Sequence, residues 1–334
     1  GAAGVTGPPA PVASAVAAGT PATGSPTSAP QFTLRDTRTQ YLAKVRAAQR
    51  QIREGNTYEV CLTTALEATA ARCTGNGAAG AGDGGGAVAG WATYRRLVAA
   101  NRAPFTLYLR AAREAGPDVE LLSTSPERFL ALSATGRLVT EPIKGTRPRG
   151  ATDEQDAELA RELAASLKDR AENIMITDLA RNDLSRVGVP GTLVTERVCA
   201  IESYPTVHQM VSTVTAQLEP GIARAEAVAA AFPPGSMTGA PKISTMDILE
   251  DLEAGPRGAY SGVAGYLADD GGADLNVLIR TLVVLSDADG SARLSLGVGG
   301  AITADSDPEQ EWDEVRTKAH GVLRVLGSAF PEDA

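Results

Sequence analysis

The sequence predicts a protein of the α+β class. Helical and strand-like segments are interleaved along the chain, but without the regular alternation that a parallel sheet with crossover helices requires. The chain has 334 residues, of which 43% are hydrophobic, so a substantial core can form. Residues 1–30 are small or proline and carry no charge, which predicts a disordered tether between domains and a folded domain over 31–330.

The first half of the folded region is read from hydrophobic spacing. Apolar residues at helical intervals predict a helix over 39–53 that ends at Gly55, followed by a strand over 57–66. The glycine-rich stretch 72–90 contains GxGxxG-like spacings. No predicted strand leads directly into it and no clear helix start follows within the motif, so a surface loop is predicted rather than a dinucleotide site. Short strands are then predicted at 105–109, 120–123, 129–133 and 138–141.

The second half alternates in the same irregular way. A long helical pattern over 153–184 is broken near residues 166–168, and a shorter one covers 224–232. Strands flanked by glycine are predicted at 262–267, 275–285 and 292–298, and a last helix at 308–326.

Composition excludes several classes of function. A net charge of -9 and a pI near 5.0 disfavour a nucleic-acid or anionic-membrane partner, since both require a basic surface. Three cysteines without CxxC spacing indicate neither a disulfide framework nor a zinc site, and a reducing cytoplasm is the simplest compartment. No apolar run approaches the roughly 20 residues that span a bilayer.

Two helices carry pairs of acids three residues apart. Asp169 and Glu172 share one helix face, and Glu311 and Glu314 share another. Such faces would suit a magnesium ion, which takes a few carboxylates together with water and substrate oxygens. From spacing alone the alternative is stronger, namely solvated faces with ion pairs such as Glu314 with Lys318.

Two glycine-containing segments could bind an anion. In the segment 232–242, Ser236 lies in a turn before a helix whose first turn contains Lys242, and free amides at a helix start attract anions. Gly299 and Gly300 would let backbone amides approach a ligand closely. A plain loop-to-helix junction and a strand bulge are the respective alternatives.

Lys144 lies between an apolar residue and a glycine at the end of a predicted strand. Partial burial there would lower the pKa of its ammonium group and leave a neutral amine able to attack a substrate. An ordinary surface lysine is the alternative when this motif is considered alone.

Taken together and in order, seven segments resemble the successive signatures of the chorismate-utilising enzymes, which include anthranilate, aminodeoxychorismate, isochorismate and salicylate synthases. The resemblance covers about residues 40 to 326. It implies a β-sandwich flanked by helices, with magnesium as cofactor and chorismate as substrate. The segments are 123–130, 142–149, 172–183, 232–242, 257–266, 276–281 and 311–318.

The resemblance also assigns roles to residues within those segments. It makes Glu172 and Glu314 magnesium ligands, with Asp169 and Glu311 as supporting acids. Glu127 becomes the acid that protonates the leaving hydroxyl, although a salt bridge to a nearby cation is its alternative. His208 is placed beside the substrate ring, or alternatively in a structural role. The substrate-binding set implied is Arg280, Ser236, Gly299, Gly300, Thr146, Lys318 and Tyr266.

Lys144 separates subgroups within the family. Aminodeoxychorismate synthases resemble this chain in reading Pro-Ile-Lys-Gly-Thr, where anthranilate synthases usually have alanine. The resemblance therefore implies amination of chorismate at C4, on the route to 4-aminobenzoate, with ammonia from a glutamine amidotransferase that is a separate subunit or is fused through the tether. Glu59 occupies the place of the lysine base of isochorismate-type enzymes, which disfavours water activation. Glutamine is common at this place in the amino-transferring subgroups. Anthranilate synthase component I and a catalytically silent binding subunit are the alternatives.

Overall fold

The computed structural model describes residues 29–72, 87–88, 90–205 and 207–332. The predicted N-terminal tether and the glycine-rich loop lie almost wholly outside these ranges. In the part of the chain that is described, no helix is long and apolar enough to cross a membrane.

The described helices match the predicted pattern, with one addition, α2. The predicted break near residue 166 is confirmed, because Ser166 ends α3 and its hydroxyl accepts a hydrogen bond from the backbone of Asp169 in α4. The final helix has the predicted bounds and ends at Gly327, whose φ of 72° is left-handed. The helices are α1 (Arg38–Arg53), α2 (Gly90–Ala100), α3 (Asp153–Ala165), α4 (Leu167–Ser185), α5 (Arg224–Ala231), α6 (Lys242–Leu252) and α7 (Pro308–Leu326).

The described strands form two sheets that are antiparallel except where β3 pairs with β2. The first sheet has the order β1-β2-β15-β14-β5-β4, and β3 and β11 pair with β2. The second has the order β12-β13-β6-β7-β10-β8, and β9 pairs with β10. The strands are β1 (Thr33–Leu34), β2 (Glu59–Arg72), β3 (Ala87–Val88), β4 (Phe105–Ala111), β5 (Asp118–Ser125), β6 (Arg128–Leu132), β7 (Arg137–Glu141), β8 (Ile143–Pro148), β9 (Val194–Ser203), β10 (Val207–Gln217), β11 (Gly239–Ala240), β12 (Val263–Leu267), β13 (Ala273–Val277), β14 (Thr281–Ser286) and β15 (Ser291–Ile302).

Two apolar clusters hold the layers together. In the first, α1, α2, α6 and α7 pack on the first sheet, with Tyr41 and Trp312 in contact at 5.5 Å between ring centroids. In the second, α4 and α5 pack on the second sheet, and Cys61 of β2 joins that cluster from the other sheet. The predicted α+β fold with a helix-flanked sandwich is therefore confirmed.

One predicted strand is wrong in its extent. The segment 275–285 is two strands, β13 and β14, which lie in different sheets. The chain passes between the sheets at Arg280, whose φ of 49° is left-handed and interrupts any extended run. The strand prediction failed here because the apolar residues continue on both sides of the crossing.

Candidate active site

Lys144 of β8 reaches across to β2 of the other sheet. Its Nζ lies 2.6 Å from Glu59 Oε1, and the two side chains are only 11% and 0% exposed. Lys144 comes directly before Gly145, whose φ of 88° accompanies a shift in the pairing of β8 with β10. This irregularity re-aims side chains at the end of the strand pair, as bulges commonly do.

The expected lowering of the pKa of Lys144 is wrong for the free protein. Burial does lower the pKa of this ammonium group, but the charges of Glu59 and Glu172, with Cys61, raise it further, so that it lies above its ordinary value. The physical reason is that a buried carboxylate 2.6 Å away stabilises the ammonium form. Glu59, which the sequence interpretation used only as a subgroup marker, is thus the residue that pairs with Lys144.

Glu127 follows β5 and is 7% exposed. Ser236, in the helical turn Gly235–Met237, donates a hydrogen bond of 2.6 Å from Oγ to Glu127 Oε1. Burial raises the pKa of Glu127 to about 7, although the hydrogen bond from Ser236 and the charges of Lys144 and Lys318 act in the opposite direction. A carboxyl group with this pKa carries its proton at neutral pH often enough to act as a general acid.

Glu172 on α4 and Glu314 on α7 both interact electrostatically with Lys144 and Lys168. Burial raises the pKa of Glu172 to about 7 against the opposing charges of Lys144 and Lys168. Burial also acts on Glu314, but the charges of Lys318 and Lys144 prevail and its pKa lies below the ordinary value. Lys318 donates to the carbonyl oxygen of Gly299 at 2.8 Å and pairs with Glu314 at 2.6 Å, the ion pair that spacing alone had favoured.

Three buried carboxylate oxygens here have no hydrogen-bond partner in the part of the chain that is described. They are Glu59 Oε2, Glu172 Oε1 and Glu311 Oε2. A Cβ on Gly300 would lie 2.8 Å from Glu311 Oε2, so glycine is what lets β15 approach this acid. Within the described ranges, no three His, Cys, Asp or Glu side chains are grouped closely enough to hold a metal by themselves. One or two carboxylates with substrate and water oxygens are nevertheless a donor set that magnesium accepts.

Arg280, where the chain crosses between the sheets, has no carboxylate counter-charge among the described residues. Of the carboxylates in the described residues, none pairs with its guanidinium group, and burial lowers its pKa. Its backbone carbonyl accepts hydrogen bonds from the amide and hydroxyl of Thr124, at 3.2 and 3.3 Å, which fixes the left-handed residue between β13 and β14. A partly buried, unpaired guanidinium is suited to a bidentate carboxylate ligand.

Two residues of the predicted anion and metal sites, Lys242 and Asp169, form ion pairs with other side chains. Lys242 pairs with Asp183 at 2.8 Å and donates to the carbonyl of Ala231 at 3.0 Å, so the plain loop-to-helix junction describes this segment better. Asp169 Oδ2 lies 3.0 Å from Arg147 Nη2. Asp169 is therefore paired with Arg147 while its charge helps to raise the pKa of Glu172.

His208 is held by two side chains. Its Nδ1 lies 2.8 Å from Ser203 Oγ and its Nε2 lies 3.0 Å from Asp156 Oδ1, which connects β10 with β9 and α3. These contacts hold the imidazole ring in place, and its placement beside the substrate ring stays a prediction. Gln209, the next residue along β10, is 2% exposed and points to the opposite face. Its side-chain amide has no hydrogen bond to the described residues. From the sequence, only the two-residue period of a strand could have indicated that Gln209 is buried on this face.

Three further residues of the predicted substrate set lie as follows. Thr146 is exposed on β8, opposite Gln209 in the strand pair. Tyr266 is 63% exposed on β12, at the edge of the second sheet. Gly299 is buried on β15, where an added Cβ would lie 2.3 Å from the carbonyl oxygen of Leu62. Close strand packing explains this glycine without a ligand.

Residues 10–324 match the model of the chorismate binding enzyme family, and the chain belongs to that family. The match spans both sheets and every residue of the site described above.

Curated relatives carry a more specific description. The chain is 49% identical over 298 residues to aminodeoxychorismate synthase of Streptomyces griseus, which covers 89% of this chain and 38% of the relative. It is 39% identical over 290 residues to aminodeoxychorismate synthase component 1 of Escherichia coli K12, covering 87% of this chain and 58% of the relative. The chain thus spans less than two thirds of the length of these relatives.

A solved structure shares the fold. Anthranilate synthase component I from Streptococcus pneumoniae TIGR4 is 26% identical, with a TM-score of 0.72 over 89% of this chain and 60% of that one. The menaquinone-specific isochorismate synthase MenF from Escherichia coli, at 22% identity and a TM-score of 0.71, shares the fold alone; it covers 92% of this chain and 65% of that one.

Proposed function

We propose that the chain catalyses amination of chorismate at C4 to give 4-amino-4-deoxychorismate, as the component that binds chorismate. The observation that carries this proposal is the buried Lys144, which lies in the same charged site as the proton-bearing Glu127. The names of the curated relatives agree with it.

The proposed mechanism uses two inverting displacements, so that the configuration at C4 is retained. Lys144 as the amine adds at C2 while the C4–O bond breaks, and Glu127 donates its proton to the departing hydroxyl group to form water. Ammonia then adds at C4 while the bond from C2 to Lys144 breaks. Glu127, now ionised, accepts a proton from the new ammonium group. Each residue returns to its starting state.

Arg280 and magnesium would hold the two carboxylates of chorismate. The unpaired guanidinium suits one carboxylate as a bidentate partner, which a lysine could not reproduce. Glu172 and Glu314, with Glu311 beside them, would bind magnesium, which as a Lewis acid would orient and polarise the substrate. In the described residues, one buried oxygen of Glu172 and one of Glu311 accept no hydrogen bond, which supports this assignment.

Ammonia would come from a glutamine amidotransferase, either a separate subunit or a domain fused to this one. The description of relatives as component 1 supports a partner component. Free ammonium at high concentration should replace that partner in an assay.

The direct test is to incubate the protein with chorismate, magnesium and ammonium chloride and to identify the product by chromatography with mass spectrometry. Formation of 4-amino-4-deoxychorismate is expected. Anthranilate as the product would overturn the proposal in favour of the anthranilate synthase activity named for a structural relative. If no product forms and calorimetry finds no magnesium-dependent binding of chorismate, the silent binding subunit would be favoured.

A further inference from the structure

Because Lys144 forms an ion pair with Glu59, the proposed mechanism needs a group that removes a proton from Lys144. An ammonium group has no lone pair, so Lys144 must lose a proton before it can attack. Its Nζ hydrogen-bonds Glu59 and no other residue in the described part of the chain. The proton of Lys144 must therefore pass to a group within hydrogen-bonding distance or leave the buried site for solvent.

We propose that Glu59 is the proton acceptor that converts Lys144 into the attacking amine, an inference that rests on the proposed function. The two side chains are positioned for a direct transfer over 2.6 Å. Glu59 is held in register on β2, opposite Ala240 of β11, and Thr57 Oγ1 donates to its backbone carbonyl at 3.0 Å. Glu59 Oε1 accepts the hydrogen bond from Lys144, and Oε2 has no hydrogen-bond partner in the described residues, so no second donor competes for the carboxylate.

The transfer keeps atoms and charge in balance. The pair of ammonium and carboxylate becomes a neutral amine and a neutral carboxylic acid. When Lys144 adds at C2, its nitrogen becomes a secondary ammonium, which later departs as a neutral amine. Glu59 then returns its proton to Lys144 and restores the ion pair. A neutral pair is also the form that a dry, low-dielectric site tolerates best, which reduces the cost of transfer.

Other charged groups face this pair, but none of them replaces Glu59. Glu172 acts on Lys144 through its charge. The charge of Lys144 in turn opposes the rise in the pKa of Glu127 and helps to lower the pKa of Glu314. None of these groups forms a hydrogen bond to Lys144 within the described residues. They set the electrostatic background, which is common to every variant proposed below.

Competitive labelling tests the pair without relying on catalysis. Trace acetic anhydride is applied from pH 6 to 11, and the acetylation of Lys144 is compared with that of the exposed Lys168 by mass spectrometry. In Glu59→Gln the midpoint of Lys144 labelling should fall inside this range, because burial is no longer opposed by the adjacent carboxylate, whereas labelling of Lys144 in the wild type should still be rising at pH 11. Glu59→Asp should stay near the wild type. Glu67→Gln, on the same strand but paired with Arg35 at the surface, is the matched control.

The pH dependence of kcat/KM tests the transfer itself. The wild type passes the proton within the pair, whereas Lys144 in Glu59→Gln must lose it to solvent. The ratio of kcat/KM for Glu59→Gln to that of the wild type should rise tenfold per pH unit up to the labelled midpoint. Because Glu127 ionises in both proteins, the effect of its ionisation on kcat/KM cancels in the ratio. Glu59→Asp and Glu67→Gln should give ratios that do not depend on pH.

The inference is overturned if Lys144 gives the same labelling curve in Glu59→Gln as in the wild type, or if that variant loses activity by the same factor at every pH. Either result would give Glu59 a purely structural role. If the wild type makes anthranilate or nothing, the proposed function fails instead, and the labelling experiment still decides whether Glu59 controls the protonation of Lys144.

Discussion

Replacing Glu127 by glutamine should change the pH dependence of stability as well as the chemistry. The pKa of Glu127 is raised by burial from its ordinary 4.5 to about 7. The unfolded chain therefore binds fewer protons than the folded one between these values, so the wild type loses stability as pH rises through this interval. The total loss is about 3 kcal/mol, of which about 2.5 kcal/mol falls between pH 5 and pH 8, since each pKa unit corresponds to about 1.4 kcal/mol.

Glutamine keeps an oxygen that accepts the hydrogen bond from Ser236 but does not ionise. Urea denaturation of both proteins at pH 5, 6, 7 and 8 should show the variant gaining stability relative to the wild type by that amount. Glu158→Gln, whose acid is 63% exposed on α3, should show no such trend. At the same time kcat should fall by about 10²- to 10⁴-fold, because the general acid is lost. If the stability difference between Glu127→Gln and wild type did not vary with pH, the assigned ionisation of Glu127 would be refuted.

Four other changes separate the roles of the remaining residues. Lys144→Ala should lower amination at least about 100-fold, measured as product formed, while chorismate binding persists; undiminished C4 amination would end the covalent mechanism. Arg280→Lys should raise KM for chorismate about tenfold, because a lysine cannot form the bidentate pair, and an unchanged KM would contradict this role. Glu172→Gln should weaken the binding of magnesium about 10- to 100-fold in calorimetric titration, and an unchanged affinity would show that Glu172 is not a magnesium ligand. His208→Ala should lower the free energy of unfolding by about 1–3 kcal/mol with little change in kcat; a selective loss of kcat would return His208 to the active site.

Secondary structure followed from the sequence wherever local pattern and end signals coincided. Helix α7 has an aspartate that caps its first turn, a proline at its start and a left-handed glycine at its end, and its predicted bounds agree with the structure. Helix α2, strands β8, β9 and β10 and the two-residue strands β1, β3 and β11 were not predicted. Strand β10 is buried along nearly its whole length, so its side chains show little of the polar alternation that marks a strand with one exposed face.

Sequence by itself determined the family, because the order of seven segments depends on residue identity and not on geometry. It also singled out Lys144 and Glu127, whose types carry recognisable chemistry. Only the tertiary structure decided the charge state of Lys144, since Glu59 lies 85 residues away along the chain and meets it only when β2 and β8 come together. Tertiary structure likewise turned His208 into a link between strands and helix. Protonation and partner choice depend on burial and on distances between side chains, and a linear pattern contains neither.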